Sequence, residues 1–135
     1  MLLRSFARRI WVRILFLRKE CFIESFGEDV HAAYSPKERT IFFDASLPME
    51  DEERALFCLG HELGHAVDDD TDPVGNDRYR LCYALATVYS EMSLPLPDYV
   101  RKTFVQKEEM ATDIGESILA DLGIDIPDGA RIRHS

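Results

Sequence analysis

Cys58-Leu59-Gly60-His61-Glu62-Leu63-Gly64-His65-Ala66-Val67 carries a His-Glu-x-x-His pattern in a stretch whose one charged residue is Glu62 and which lacks proline. An unbroken helix is therefore allowed. Two imidazoles four positions apart project from one side of such a helix, where both can ligate one Zn²⁺, and the intervening Glu62 can reach a water beside that metal. At about 100° per residue, Leu56, Leu59, Leu63, Ala66 and Val67 gather on one side, while Arg54, Cys58, His61, His65 and Asp68 gather on the other. A core stripe opposed by a polar stripe is what a cleft-lining zinc helix needs. The plainer alternative is a helix whose two histidines are solvated or satisfied by core hydrogen bonds.

Upstream, Val30–Tyr34 and Thr40–Asp44 are short β-prone runs separated by Ser35-Pro36-Lys37-Glu38-Arg39, whose residues mark a turn, so a hairpin is expected. Its second arm leads through Ala45-Ser46-Leu47-Pro48 into the zinc helix, whose first turns carry Glu50, Asp51, Glu52 and Glu53 near the positive helix end. That second arm is a candidate edge for pinning a peptide by strand addition, or a purely structural strand. Downstream, Asp68-Asp69-Asp70-Thr71-Asp72-Pro73 is an acidic turn. It resembles a calcium loop, but Pro73 and Tyr79 stand where that loop needs Gly and Glu. Two more helices are expected, from about Arg78 to Met92 and from about Thr103 to Leu122, the second stopped by Gly123. Residues 124–135 read as a short tail that adds a strand or stays loose.

The 135 residues suit one domain. The whole chain carries a net charge of −9, yet residues 1–20 hold six basic residues (Arg4, Arg8, Arg9, Arg13, Arg18, Lys19) against Glu20. That local balance of +5 leaves −14 on the remainder, which argues against nonspecific nucleic-acid binding by the body. The basic start lacks a small-residue cleavage site and is too short and charged to span a membrane. It could contact a membrane surface as an amphipathic helix. The preferred expectation is an opening helix near residues 2–10 and a buried strand near 12–17, both packed on the catalytic body. A cytoplasmic protein, or one delivered by a secretion system, fits this start. Cys21, Cys58 and Cys82 form no disulfide framework or paired metal motif, and Cys58 reads as a buried thiol.

Zinc needs a third protein ligand. His31 and His134 are remote, and Asp68 and Thr71 stand where a longer zinc motif would place Gly and His. In the last helix Glu109, Asp113 and Glu116 share a face opposite Ala111, Ile114, Ile118 and Leu122, so Glu109 is the expected ligand, with Glu108 as fallback. Asp113 and Asp68 are expected to orient ligand imidazoles by hydrogen bonding.

The run His61-Glu62-Leu63-Gly64-His65-Ala66-Val67-Asp68-Asp69 closely resembles the zinc helix of the anthrax lethal factor-like metallopeptidases, the group that includes the lethal factor protease domain and the clostridial Pro-Pro endopeptidases. The resemblance spans the hairpin to the last helix. It implies a second helix bearing a Glu ligand with an acidic residue one turn on, matched by Glu109 and Asp113. It also implies a tyrosine shortly before the Glu ligand that stabilises the developing oxyanion. Lys102 stands at that spacing, and Tyr99 is the nearest tyrosine, ahead of Tyr83 and Tyr89.

The expectation is thus a compact, zincin-like α+β single domain over residues 1–135, with about four helices and a small, mostly antiparallel sheet. Its cleft would lie between the zinc helix and the Glu109 helix. The expected chemistry is zinc-dependent hydrolysis of a protein or peptide substrate, with ligands His61, His65 and Glu109, Glu62 as general base and Tyr99 on the oxyanion. Alternatives are a small intracellular peptidase that cleaves a repressor, a zinc-stabilised binding module without catalysis, and a toxin or effector domain. Oligomeric state is not legible.

Overall fold

A computed structural model describes residues 2–124, so the expected tail strand and His134 lie outside the described residues. The hairpin forms as expected: β2 (Ala32–Ser35) pairs antiparallel with β3 (Thr40–Asp44) across the turn at residues 36–39. β1 (Arg13–Leu17) adds on the far side of β3 and runs parallel to it, giving the order β1-β3-β2. The sheet is therefore mixed and not mostly antiparallel. The physical reason is the connection: α2 (Lys19–Phe26) carries the chain from β1 across the sheet, which a parallel neighbour requires.

α2 was not anticipated, because Phe22 is the one buried residue among its eight and no recurring apolar face marks it. It covers one face of the sheet, where Phe22 and Phe26 lie 4.8 Å apart between ring centroids and Phe26 lies 5.6 Å from Phe42. Ile14, Ile41 and Phe43 point to the opposite face and join Leu3 and Ala7 of α1 (Leu2–Arg9) in the core. β3 is thus covered on both faces, as its unbroken Ile41-Phe42-Phe43 run allows.

α3 (Leu47–Glu50) is a single turn that leads into α4 (Glu52–Thr71). The Asp51 side chain caps α4 by accepting from the Arg54 amide, with Glu52 and Glu53 in the first turn. Leu59, Leu63 and Ala66 of α4 are buried in the same core as Ile41 and Phe43, which sets the helix rotation. α5 (Pro73–Glu91) starts directly after Asp72, whose side chain accepts from the Gly75 amide. It begins five residues earlier than expected because this cap and Pro73 at the first helical position make the acidic stretch a helix start. α6 (Asp98–Asp121) likewise begins earlier, directly after Pro97. Among the described residues, six helices and three strands in an α+β arrangement stand where about four helices were expected.

α4 and α6 make the most extensive helix pair, and small residues bring them close. A Cβ on Gly64 would run into the Ala111 carbonyl, and one on Gly115 into the Gly60 carbonyl. Across this contact the two helices carry the residues of interest.

Candidate metal centre and cleft

His61 and His65 project from α4 toward α6, with rings 4.7 Å apart and nearly perpendicular. α6 answers with Glu108: its Oε2 is 2.8 Å from His61 Nε2 and its Oε1 is 3.3 Å from His65 Nε2. The three donor atoms lie within 4.8 Å of one another, a group able to hold a metal ion. Two imidazole nitrogens and a carboxylate oxygen are a donor set that suits zinc and other divalent transition metals. His61 is oriented from behind, its Nδ1 lying 2.9 Å from Thr112 Oγ1 one turn beyond Glu108.

Glu109, the expected ligand, is not part of this group. It lines a separate cavity with Asp113, Lys107 and Asp68. A polar residue opposite the core stripe can face solvent, whereas a ligand shared between helices must face the other helix. On α6, Glu108, Thr112, Gly115 and Leu119 fall within about 60° of one another, and Glu109 lies about 100° round from Glu108. Gly115 against Gly60 therefore decides which glutamate meets the histidines. Thr112, not Asp113, takes the orienting position.

Asp68 is also placed differently. It is buried and ion-paired to Lys107 Nζ at 3.0 Å, which reaches Asp72 at the same distance. Asn76 donates to the Asp68 and Asp72 carbonyls. Burial works to lower the Lys107 pKa, but the hydrogen bonds with Asp68 and Asp72 outweigh it and hold it above the ordinary 10.5. Hydrogen bonding from Lys107 likewise holds Asp72 below 3.8. The Lys107 contribution is therefore full below pH 10.5 and fades as pH rises through its higher folded value. The Asp72 contribution is full above pH 3.8 and fades as pH falls through its lower one. Lys107→Met leaves Asp68 buried without its partner and is expected to cost about 3 kcal/mol in urea unfolding at neutral pH.

Glu62 lies between the histidines and the sheet. Burial is the main cause that raises its pKa, against the opposing pull of His65 and His61. A carboxyl group with a raised pKa beside a candidate metal group suits proton transfer. For Glu108 burial acts upward, but the hydrogen bonds with His61 and His65 prevail and hold it well below the carboxylate range. His65 is raised, its burial outweighed by Glu108 and Glu62.

A cavity of about 720 Å³ opens at Glu62, His65 and Glu108. One wall is β2, through Ala32, Ala33, Tyr34 and Ser35, and the opposite wall is α5, through Tyr79 and Tyr83. A smaller cavity of about 300 Å³ continues past His61 along Asp29–Ala32, Arg54 and Cys58. Cys58 is buried there, its thiol pushed up to about 11 mainly by burial. The strand bordering the cleft is β2, at the sheet edge, and not β3, which sits in the centre.

Tyr99 lines neither of these cavities and is exposed at the start of α6. Three tyrosines line the cleft, Tyr34, Tyr79 and Tyr83; the Tyr79 ring lies 6.5 Å from that of His65 and packs edge-on against Phe104 at 5.4 Å. Its hydroxyl pKa is raised by burial and then by the nearby Glu108 carboxylate. Tyr79 lies inside the helix expected from Arg78, but which face of that helix meets the cleft depends on its packing against Phe104 of α6, a contact between helices that spacing does not show. The Tyr79, Tyr83 spacing was the available signal.

No protein-family model matches the chain, and neither a curated protein nor a solved structure matches it.

Proposed function

We propose that this chain is a zinc-dependent endopeptidase, of the lethal factor-like kind that the His61–Asp69 run resembles. The observation that carries this reading is the convergence of His61, His65 and Glu108 from two helices, with Glu62 beside them, at the floor of an open cleft. Bound zinc would supply Lewis-acid polarisation of the substrate carbonyl and make a water acidic enough to lose its proton near neutral pH. Glu62 takes that proton as the water oxygen bonds to the carbonyl carbon, and delivers it to the nitrogen as the C–N bond breaks. Tyr79 lines the same cavity, which supports it as the donor of a hydrogen bond to the developing oxyanion. An extended peptide adds to the edge of β2, which pairs with no further strand among the described residues, and this fixes its backbone and leaves side chains to the walls.

Elemental analysis of the purified protein should give one zinc per chain. A denatured-protein peptide library should be cleaved by wild type, and about 10²–10⁴-fold more slowly by Glu62→Gln with its zinc retained. Tyr79→Phe should retain zinc and lose about 10²-fold in kcat, whereas Tyr99→Phe should match wild type. Zinc bound without cleavage of any library member would point instead to a zinc-stabilised binding module.

A further inference from the structure

The corner between α1 and β1 has a feature that neither the core nor the cleft uses. α1 ends in a paired hydrogen-bond cap: the Val12 amide donates to the Ala7 carbonyl at 2.9 Å and the Trp11 amide to the Arg8 carbonyl at 3.1 Å. Such a cap puts a left-handed residue at position 11, where glycine is preferred. Trp11 occupies it, with φ 61° and its side chain 83% exposed. A bulky residue in that conformation is strained, and an indole in solvent returns no packing. Folding alone therefore does not account for Trp11.

The corner is also rigid and basic. The Arg39 guanidinium bonds the Ile10 and Trp11 carbonyls at 2.6 and 3.1 Å and pairs with Asp70 of α4 at 2.7 Å, so it pins the turn to the body. Arg8, Arg9, Arg13 and Arg18 are exposed and make no ion pair among the described residues. The Arg9 guanidinium lies over the Phe6 ring instead. The first twenty residues carry +5 against −14 elsewhere, so an anionic plane would draw this end in and turn the acidic body away.

We propose that the α1–β1 corner docks on an anionic lipid bilayer, with Trp11 in the headgroup layer and Arg8, Arg9 and Arg13 against the lipid charges. The apolar face of α1 stays in the core, as Leu3 and Ala7 are fully buried, so the helix does not lie down in the membrane. Tryptophan prefers that interfacial layer and basic side chains near it add attraction. The inference is independent of the chemistry at the metal centre.

Trp11 is the one tryptophan in the chain, so intrinsic fluorescence reads the corner directly. The 135-residue chain is titrated with vesicles of phosphatidylcholine alone, of phosphatidylcholine with phosphatidylserine, and with a mixed-sequence single-stranded DNA oligonucleotide. A blue shift with the anionic vesicles that is reversed by high salt is expected, with none for the neutral ones. In vesicle sedimentation, each of Arg8→Gln, Arg9→Gln and Arg13→Gln should lower partitioning about five-fold. Trp11→Gly should lower it at least about ten-fold and melt no lower than wild type, since glycine relieves the cap. No shift with anionic vesicles overturns the proposal, and a shift with the oligonucleotide alone would assign the corner to nucleic acid.

Discussion

Glu108→Ala is expected to bind no stoichiometric zinc, while Glu109→Ala keeps one zinc per chain. Glu108 is the residue whose two oxygens reach both imidazole Nε2 atoms, at 2.8 and 3.3 Å, from the facing helix. Without it two histidines remain, one fewer than the three protein ligands that hold catalytic zinc. Glu109 lies in a different cavity, so its removal leaves all three donors in place. Elemental analysis of the three proteins side by side reads the difference, and far-UV circular dichroism shows that each has folded. Zinc lost with Glu109 and kept without Glu108 would contradict the arrangement of α6 described above. Thr112→Ala is the graded companion: losing the oxygen 2.9 Å from His61 Nδ1 should weaken affinity about 10–100-fold without changing stoichiometry.

Gly64→Ala should abolish zinc binding and destabilise the chain by about 3 kcal/mol or more. In an open helix the same change would gain about 1 kcal/mol of helix propensity. Here the new methyl meets the Ala111 carbonyl carbon at 2.8 Å and the Gly115 amide at 3.0 Å, with the Ala111 oxygen closer still. All three atoms belong to the α6 backbone, so no rotamer change relieves the clash. The helices must part, and overpacking of this kind costs more than propensity returns. Parting them by an ångström also breaks the contacts between Glu108 and the two histidines. Gly115→Ala, whose Cβ meets the Gly60 carbonyl, should behave the same way. Gly60→Ala should be milder, because its nearest neighbour is the Leu119 side chain at 2.8 Å, which can turn. Urea unfolding and zinc stoichiometry measured on all three variants test this order.

These glycines explain why some of the site could be read from the chain and some could not. His61, Glu62 and His65 are fixed relative to one another by helix geometry alone, so their shared face follows from spacing. The hairpin from β2 to β3 was legible for the same reason, since a turn and two β-prone runs are local features. Thr112, Tyr79 and the choice of Glu108 over Glu109 are relations between helices. Glu108 and Thr112 depend on how α6 is rotated against α4, which is set by the contacts of Gly115 with Gly60 and of Ala111 with Gly64, and Tyr79 depends on how α5 packs on α6 through Phe104. A polar stripe opposite an apolar one marks solvent as readily as it marks a cleft, so the stripe containing Glu109 pointed to the wrong face.

The sheet divides in the same way. That β3 would be buried on both faces is consistent with its apolar run, but its central place follows from α2 carrying the chain to the other side, which no periodicity in eight residues announces. Local order thus determined the helix that bears His61, Glu62 and His65, the hairpin, and the charge asymmetry of the chain. The tertiary structure alone decided which carboxylate and hydroxyl meet the two histidines and which phenols line the cleft, because a contact between elements is fixed by the backbone distance and rotation at which their smallest residues meet.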